Sequence, residues 1–145
     1  MIIRVTKEFD FEAAHALDGY NGKCKDIHGH SYHLCVTVKG EPISDSNNPK
    51  LGMVIDFSDI KKILKEKIEP QFDHRLLLHH SSRFAGIEKI NDRVRYVDYQ
   101  PTCENMMIEI VEVFKKELPS EVTLVKVSLR ETANSYSEWL AEDNM

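Results

Sequence analysis

The stretch from Phe9 to Val38 constrains this chain more than any other. It reads FDFEAAHALDGYNGKCKDIHGHSYHLCVTV, two alternating segments joined by a glycine-containing loop. Side chains alternate faces along a β-strand. Phe9, Phe11, Ala13 and His15 therefore share a face of the first segment. His28, His30, Tyr32, Leu34, Val36 and Val38 share a face of the second. If the two pair as a hairpin, His15 lies beside His28 and His30. Residues two apart on a strand are about 6.6 Å apart along it, so two imidazoles can lean onto one ion. Gly29, between them, has no side chain to obstruct a close backbone approach. Three neutral imidazoles suit Zn2+ at about 2.0–2.1 Å per bond, with the fourth position open as in a catalytic zinc. One histidine alone would be read as an ordinary core or surface residue; three of matching parity are read as ligands. The spacing excludes the helical HExxH zinc motif.

A chain of 145 residues is expected to form a single domain, residues 1–145, large enough to bury a core. With 41% hydrophobic and 30% charged residues it has the mix of a soluble globular protein. Nineteen Lys and Arg against 24 Asp and Glu leave a net charge of −5, which argues against broad nucleic-acid binding. A small anionic substrate needs only a local basic cluster, so it is not excluded. Cys24, Cys35 and Cys103 form no CxxC pair and would leave one cysteine unpaired in any disulfide scheme. A reduced, cytoplasmic protein is expected. Arg4 interrupts the apolar start, so no signal peptide is expected, and no run approaches a membrane span.

Strands are expected from Ile2 to His15, His28 to Gly40, Val94 to Tyr99 (an edge), Val122 to Glu131 and Ala133 to Leu140. Met53–Ile55 reads as a short extended piece. Asp56 caps a first helix with Phe57, Ile60, Ile63, Leu64 and Ile68 on its apolar stripe, its lysines on a solvated face, and Pro70 as its stop. Thr102 caps a second helix, with Met107, Ile110, Val111, Phe114 and Leu118 inward and Pro119 ending it. Residues 79–92 are irregular and polar, and His79 and His80 read as surface residues. The order gives an α+β fold, an antiparallel sheet with two helices on one face.

Several residues could carry chemistry. Cys24 sits four positions before His28, between Lys23 and Lys25, where positive charge favours the thiolate. A thiolate can be a general base; a chance loop cysteine and a fourth zinc ligand are the alternatives. Asp73 and His74 are adjacent in a loop, which is weak on its own. Alternation places Glu131 on one face with Val125, Val127 and Leu129, at the end of its strand. A charge there needs a partner, either a neighbouring Arg or Lys or the parallel N–H donors of a ligand. Thr102 and Glu104 read as helix cap and first-turn acid.

The ordered blocks FEAAH, Cys24, HGHSY, DHRLL, PTCEN and RETANSY span Phe9 to about Tyr136. Together they resemble the 6-pyruvoyl-tetrahydropterin synthase / 6-carboxy-5,6,7,8-tetrahydropterin synthase family. The resemblance implies a tunnelling fold in which sheets from three subunits close into a barrel and two trimers stack into a homohexamer. It implies Zn2+ on His15, His28 and His30, Cys24 as catalytic base, Asp73 and His74 assisting proton transfer, and Glu131 anchoring a pterin, with Thr102 and Glu104 near it. The implied substrate is 7,8-dihydroneopterin triphosphate, with Lys23, Lys25 and Arg75 as candidates for the triphosphate. Cys24 and His28 are separated by three residues, the spacing C-x3-HGH. The resemblance associates this short spacer with the branch that releases triphosphate and acetaldehyde and forms 6-carboxy-5,6,7,8-tetrahydropterin, on the route to queuosine-type 7-deazaguanine nucleosides. The alternatives are the 6-pyruvoyl-forming lyase and, in another class, a non-enzymatic zinc-stabilised pterin-binding module closed by Cys24.

Overall fold

Two thirteen-residue strands form the spine of the computed structural model, which describes all residues 1–145. β1 (Ile3–His15) and β2 (His28–Gly40) pair antiparallel along their whole length, from Ile3 opposite Gly40 to His15 opposite His28. Period-two apolar spacing puts Phe11, Ala13, Tyr32, Leu34, Val36 and Val38 on the buried face. Phe11 stacks on Tyr32 across this pair, with ring centroids 5.1 Å apart.

The sheet has six strands in the order β4-β3-β1-β2-β5-β6, where β3 is Arg75–His79, β4 Val94–Val97, β5 Thr123–Thr132 and β6 Ser135–Leu140. β1, β2, β5 and β6 are mutually antiparallel, as expected. The sheet as a whole is mixed, because β3 runs parallel to β1 and β4 parallel to β3. β3 falls on a segment with no alternating pattern to mark it as a strand. Leu76, Leu77 and Leu78 are all buried, so the run lacks alternation. Leu77 joins the main core, whereas Leu76 and Leu78 pack with Ala16, Phe84 and Ile87 in a smaller cluster. The irregular residues 79–92 thus carry part of a second core, with one short helical turn at Ile87–Lys89.

The helices cover one face of the sheet. Ile60, Leu64, Ile68 and Phe72 from the first rod and Met106, Ile110 and Phe114 from the second share one core cluster with the strand residues. Pro70 does not stop the first rod. α1 (Phe57–Ile63) continues through a π-helical stretch (Leu64–Ile68) into α2 (Glu69–Phe72). Pro70 lies in the first turn of α2, where its missing N–H costs nothing, and the wider preceding turn absorbs the mismatch. Phe57 lies off the buried stripe, at 48% exposed. Asp56 and Thr102 cap as expected, accepting from Ser58 N and Asn105 N. The second helix, α3, spans Cys103–Glu117. Met53–Ile55 is not a strand; Val54 and Ile55 fill the core from a loop. No helix is long and apolar enough to cross a membrane.

A bulge corrects one expectation on β5. The β2–β5 register shifts between Thr37 and Val38, so Leu124, not Val125, faces inward, at 8% exposed. Val127 and Leu129 beyond the bulge are fully buried as expected. Leu124→Ala should cost about 2–5 kcal/mol in urea unfolding, the range for truncating a buried leucine. Val125→Ala should cost less than half as much. The reverse ranking would restore an unbroken alternation.

Candidate metal centre and the residues around it

Pairing of β1 and β2 sets His15 opposite His28 and Ala13 opposite His30, on the helix-covered side of the sheet. The three imidazoles converge: ring centroids are 4.5, 5.2 and 4.9 Å apart, and one nitrogen from each lies within 4.8 Å of the others. Gly29 is needed at this approach, because a Cβ there would stand 3.3 Å from the Ala13 carbonyl oxygen.

Two backbone carbonyls orient the rings. His15 Nδ1 lies 2.6 Å from Pro101 O, and His28 Nδ1 2.8 Å from Asp26 O. A carbonyl only accepts, so both Nδ1 atoms carry the proton and both Nε2 atoms present lone pairs. Those two Nε2 atoms face each other at 3.0 Å. Two lone pairs at that distance repel unless a cation lies between them. His30 Nε2 is buried with no hydrogen-bond partner, a costly state that a metal would relieve. Burial also lowers the pKa of His15 and of His30, against the opposing pull of Glu131. The cluster therefore fits a cation that prefers neutral imidazole nitrogen, and Zn2+ is such an ion. The carbonyl partners act as the outer shell that such ligands require.

Glu131 stands over this cluster. Its carboxylate oxygens lie 4.0 Å from His15 Nε2 and 3.9 Å from His30 Nε2. Tyr32 donates its hydroxyl to Glu131 Oε2 at 3.0 Å. The Tyr32 phenol is pushed well above its usual range, by burial first and then by the Glu131 charge, so it remains a donor. No Lys or Arg pairs with Glu131; neighbouring Arg130 donates to Ala133 O and stacks on Tyr136. The carboxylate thus keeps one oxygen without a hydrogen-bond partner, directed at a space bordered by histidines.

Cys24 lies in a short helical turn, Lys23–Lys25, half-buried. Its carbonyl accepts from Leu17 N at 2.9 Å. Its sulfur is outside the set of donor atoms that converge with the histidines.

Asp73 and His74 touch: His74 Nδ1 lies 3.0 Å from Asp73 Oδ2. Asp73 also accepts from Glu12 N at 2.9 Å. Burial pushes this carboxyl up, but the Glu12 and His74 bonds outweigh it and hold its pKa below the usual value. His74 has φ 59°, the left-handed region, where a non-glycine backbone is uncommon. Such strain gathers at functional positions. His74 opens onto a cleft of about 580 Å³ that also touches Gly29, His30, Arg75 and Arg93. Cys24 does not line that cleft, and no hydrogen bond joins it to Asp73 or His74. One chain thus brings together the histidines and Glu131, and His30 also borders the cleft onto which His74 opens.

Thr102 spends its hydroxyl on the α3 cap, at 3.1 Å from Asn105 N. Glu104 is exposed in the first turn. The start of α3 is tied to β5 through Cys103, whose thiol donates to Leu129 O at 3.4 Å, two residues before Glu131. Of the basic candidates, Lys23 and Lys25 are exposed, while Arg75 donates to Pro70 O.

Two arginines were missed by sequence reasoning. Arg83 reaches across 57 positions to Asp26 Oδ1 at 2.7 Å and also donates to Lys25 O. It braces the loop that carries Cys24 and whose Asp26 carbonyl orients His28. Arg93 donates to the carbonyls of His74 and Asp73. Both lie in irregular segments where no periodicity marks them. Tyr32 was legible, since its parity matches His28 and His30.

The sequence model of the family described as 6-pyruvoyl tetrahydropterin synthase matches residues 4–142. A protein of Rickettsia typhi named 6-carboxy-5,6,7,8-tetrahydropterin synthase is 35% identical over 142 residues, covering 94% of this chain and 99% of its own. A Haemophilus influenzae protein of the same name is 32% identical, over 95% and 99%. A Pongo abelii protein named 6-pyruvoyl tetrahydrobiopterin synthase is 34% identical, over 91% and 87%. The solved 6-pyruvoyl tetrahydropterin synthase of Caenorhabditis elegans superposes with a TM-score of 0.69 at 26% identity, over 97% of this chain and 96% of that one. The fold of this chain is thus shared with a solved pterin synthase. The chain belongs to the 6-pyruvoyl tetrahydropterin synthase family.

Arg83→Ala should change global stability by no more than about 1 kcal/mol, because its ion pair is exposed. Amide exchange of residues 17–27 should nonetheless accelerate, since that loop loses its brace. Unchanged exchange there would show that Arg83 does not hold the loop.

Proposed function

We propose that this protein converts 7,8-dihydroneopterin triphosphate to 6-carboxy-5,6,7,8-tetrahydropterin, releasing acetaldehyde and triphosphate, on the route to queuosine-type 7-deazaguanines. The observation that carries the reading is the three-histidine cluster with a carboxylate standing over it. The names of its bacterial relatives and the C-x3-HGH spacing favour the carboxy-forming product. The 6-pyruvoyl-forming reaction is the second reading, favoured by the primate relative of similar identity.

His15, His28 and His30 would hold Zn2+, which supplies Lewis acidity toward substrate oxygens when bound. Glu131 receives the pterin edge: its Oε1 has no hydrogen-bond partner, and Tyr32 fixes the carboxylate's orientation through Oε2. Cys24 removes a proton from the substrate side chain, in keeping with a sulfur outside the histidine cluster. Asp73 holds His74 by its Nδ1, which leaves Nε2 to move a proton at the cleft. Because Cys24 and the Asp73–His74 pair do not meet within one chain, their joint use requires sites shared between subunits of the homohexamer that the family resemblance implies. Lys23, Lys25 and Arg75 remain the candidates for the triphosphate, with Thr102 and Glu104 as flanking pterin-side residues. A reduced protein of the cytoplasm completes this reading. The non-enzymatic alternative requires Cys24 as a fourth ligand.

Incubation of the zinc-loaded protein with the triphosphate substrate should release acetaldehyde in step with triphosphate, read by mass spectrometry. Triphosphate with 6-pyruvoyl-tetrahydropterin and no acetaldehyde would assign the other branch. In the same assay Cys24→Ala should abolish turnover while metal analysis still finds zinc; loss of zinc in that variant would support the closed, non-catalytic site.

Glu131→Gln keeps size and removes charge. Pterin binding by calorimetry should weaken by roughly 1.5–3 kcal/mol, the scale of a hydrogen bond to a charged group. An unchanged affinity would remove Glu131 as the anchor.

A further inference from the structure

The face of the sheet opposite the helices carries a second group of metal-binding side chains. Alternation along β1 and β2 that sends Phe9, Phe11 and Leu34 inward sends Glu8, Asp10, His33 and Cys35 to the other side. The register completes the grouping: Glu8 stands opposite Cys35, and Asp10 opposite His33. The group belongs neither to the three-histidine cluster nor to the Asp73–His74 cleft.

Its geometry resembles a ligand set with an outer partner. His33 Nε2 lies 3.1 Å from Glu8 Oε1, and Cys35 Sγ lies 3.4 Å from the same oxygen. All three donor atoms fall within 4.8 Å of one another. Around a tetrahedral Zn2+, bond lengths of about 2.0–2.3 Å set neighbouring donors roughly 3.2–3.7 Å apart; the Cys35–Glu8 spacing falls in that range and the His33–Glu8 spacing just short of it. Asp10 Oδ1 accepts from His33 Nδ1 at 2.5 Å. That bond fixes the ring and directs Nε2 toward Glu8 and Cys35, the carboxylate–histidine arrangement found behind metal ligands. Lys126 is engaged by Glu138 at 2.7 Å, and the Glu8 and Asp10 carboxylates pair with His33.

We propose that Glu8, His33 and Cys35 form a second metal site, oriented by Asp10, for a borderline divalent transition-metal ion of the Zn2+ or Co2+ type. One imidazole nitrogen, one thiolate and one carboxylate oxygen make a donor set that favours such ions over Mg2+ or Ca2+. Binding releases the Cys35 thiol proton and the proton that His33 Nε2 shares with Glu8. Water fills the remaining position, because Glu8 is 64% exposed.

Co2+ titrated into the zinc-loaded protein tests this, since thiolate ligation gives a charge-transfer band that histidine and carboxylate alone do not. The band should appear with one cobalt per chain added beyond the zinc. Cys35→Ser and His33→Ala should abolish it, and Cys24→Ser should keep it. Asp10→Asn should weaken cobalt binding about 10–100-fold, as loss of an outer-shell partner does. Turnover by Cys35→Ser should match that of the unsubstituted protein, which also shows that this variant is folded. Absence of the band in the unsubstituted protein would overturn the proposal. So would a band that survives in Cys35→Ser and vanishes in Cys24→Ser, which would place the cobalt at the three-histidine site.

Discussion

The three-histidine cluster depends on one backbone constraint, the unbroken antiparallel register between β1 and β2. Thirteen consecutive pairs run from Ile3–Gly40 to His15–His28. A slip of one residue would turn every side chain of one strand to the opposite face. His15 would then face away from His28, and Phe11 would lose its stack on Tyr32. The buried rows of both strands hold the register, because a slip would expose Leu34, Val36 and Val38, which are fully buried. The core thus enforces the geometry of the cluster at the open end of the same ladder.

Irregular segments finish what the register starts. Pro101, just ahead of α3, supplies the carbonyl that fixes His15, and Asp26 in the Cys24 loop fixes His28. Gln100 and Asp18 bond to each other's neighbourhoods, joining those two segments. Arg83 reaches the Asp26 loop from beyond β3, and Arg93 holds the Asp73–His74 corner. The long connections of this chain therefore act as braces on a rigid hairpin, which is how a loop-borne site gains a fixed shape.

The cluster stores an electrostatic demand. Two Nε2 lone pairs face each other, a third buried nitrogen has no partner, and burial lowers the pKa of His15 and His30. Protonation is the other way to relieve the contact, and burial works against it. A neighbouring carboxylate, Glu131, is held in place by a phenol that burial keeps protonated. These features together leave three imidazole nitrogens without hydrogen donors beside a fixed carboxylate.

Alternation in the sequence was enough to place His15, His28 and His30 on one face, because β1 and β2 pair without a register shift. Caps at Asp56 and Thr102 were legible because they depend on residues three positions away at most. What exceeded the sequence depended on distant partners. The bulge that turns Leu124 inward leaves Val125 of β5 without a partner on β2, and it is set by the pairing of the two strands. The helix passes Pro70 because a π-helical stretch precedes it. β3 carries no alternation, since both of its faces are covered. The parallel pairings, the grip of Arg83 and Arg93, and the separation of Cys24 from Asp73–His74 join segments tens of residues apart. Local chemistry therefore determined which side chains could act, and long-range packing decided which of them meet.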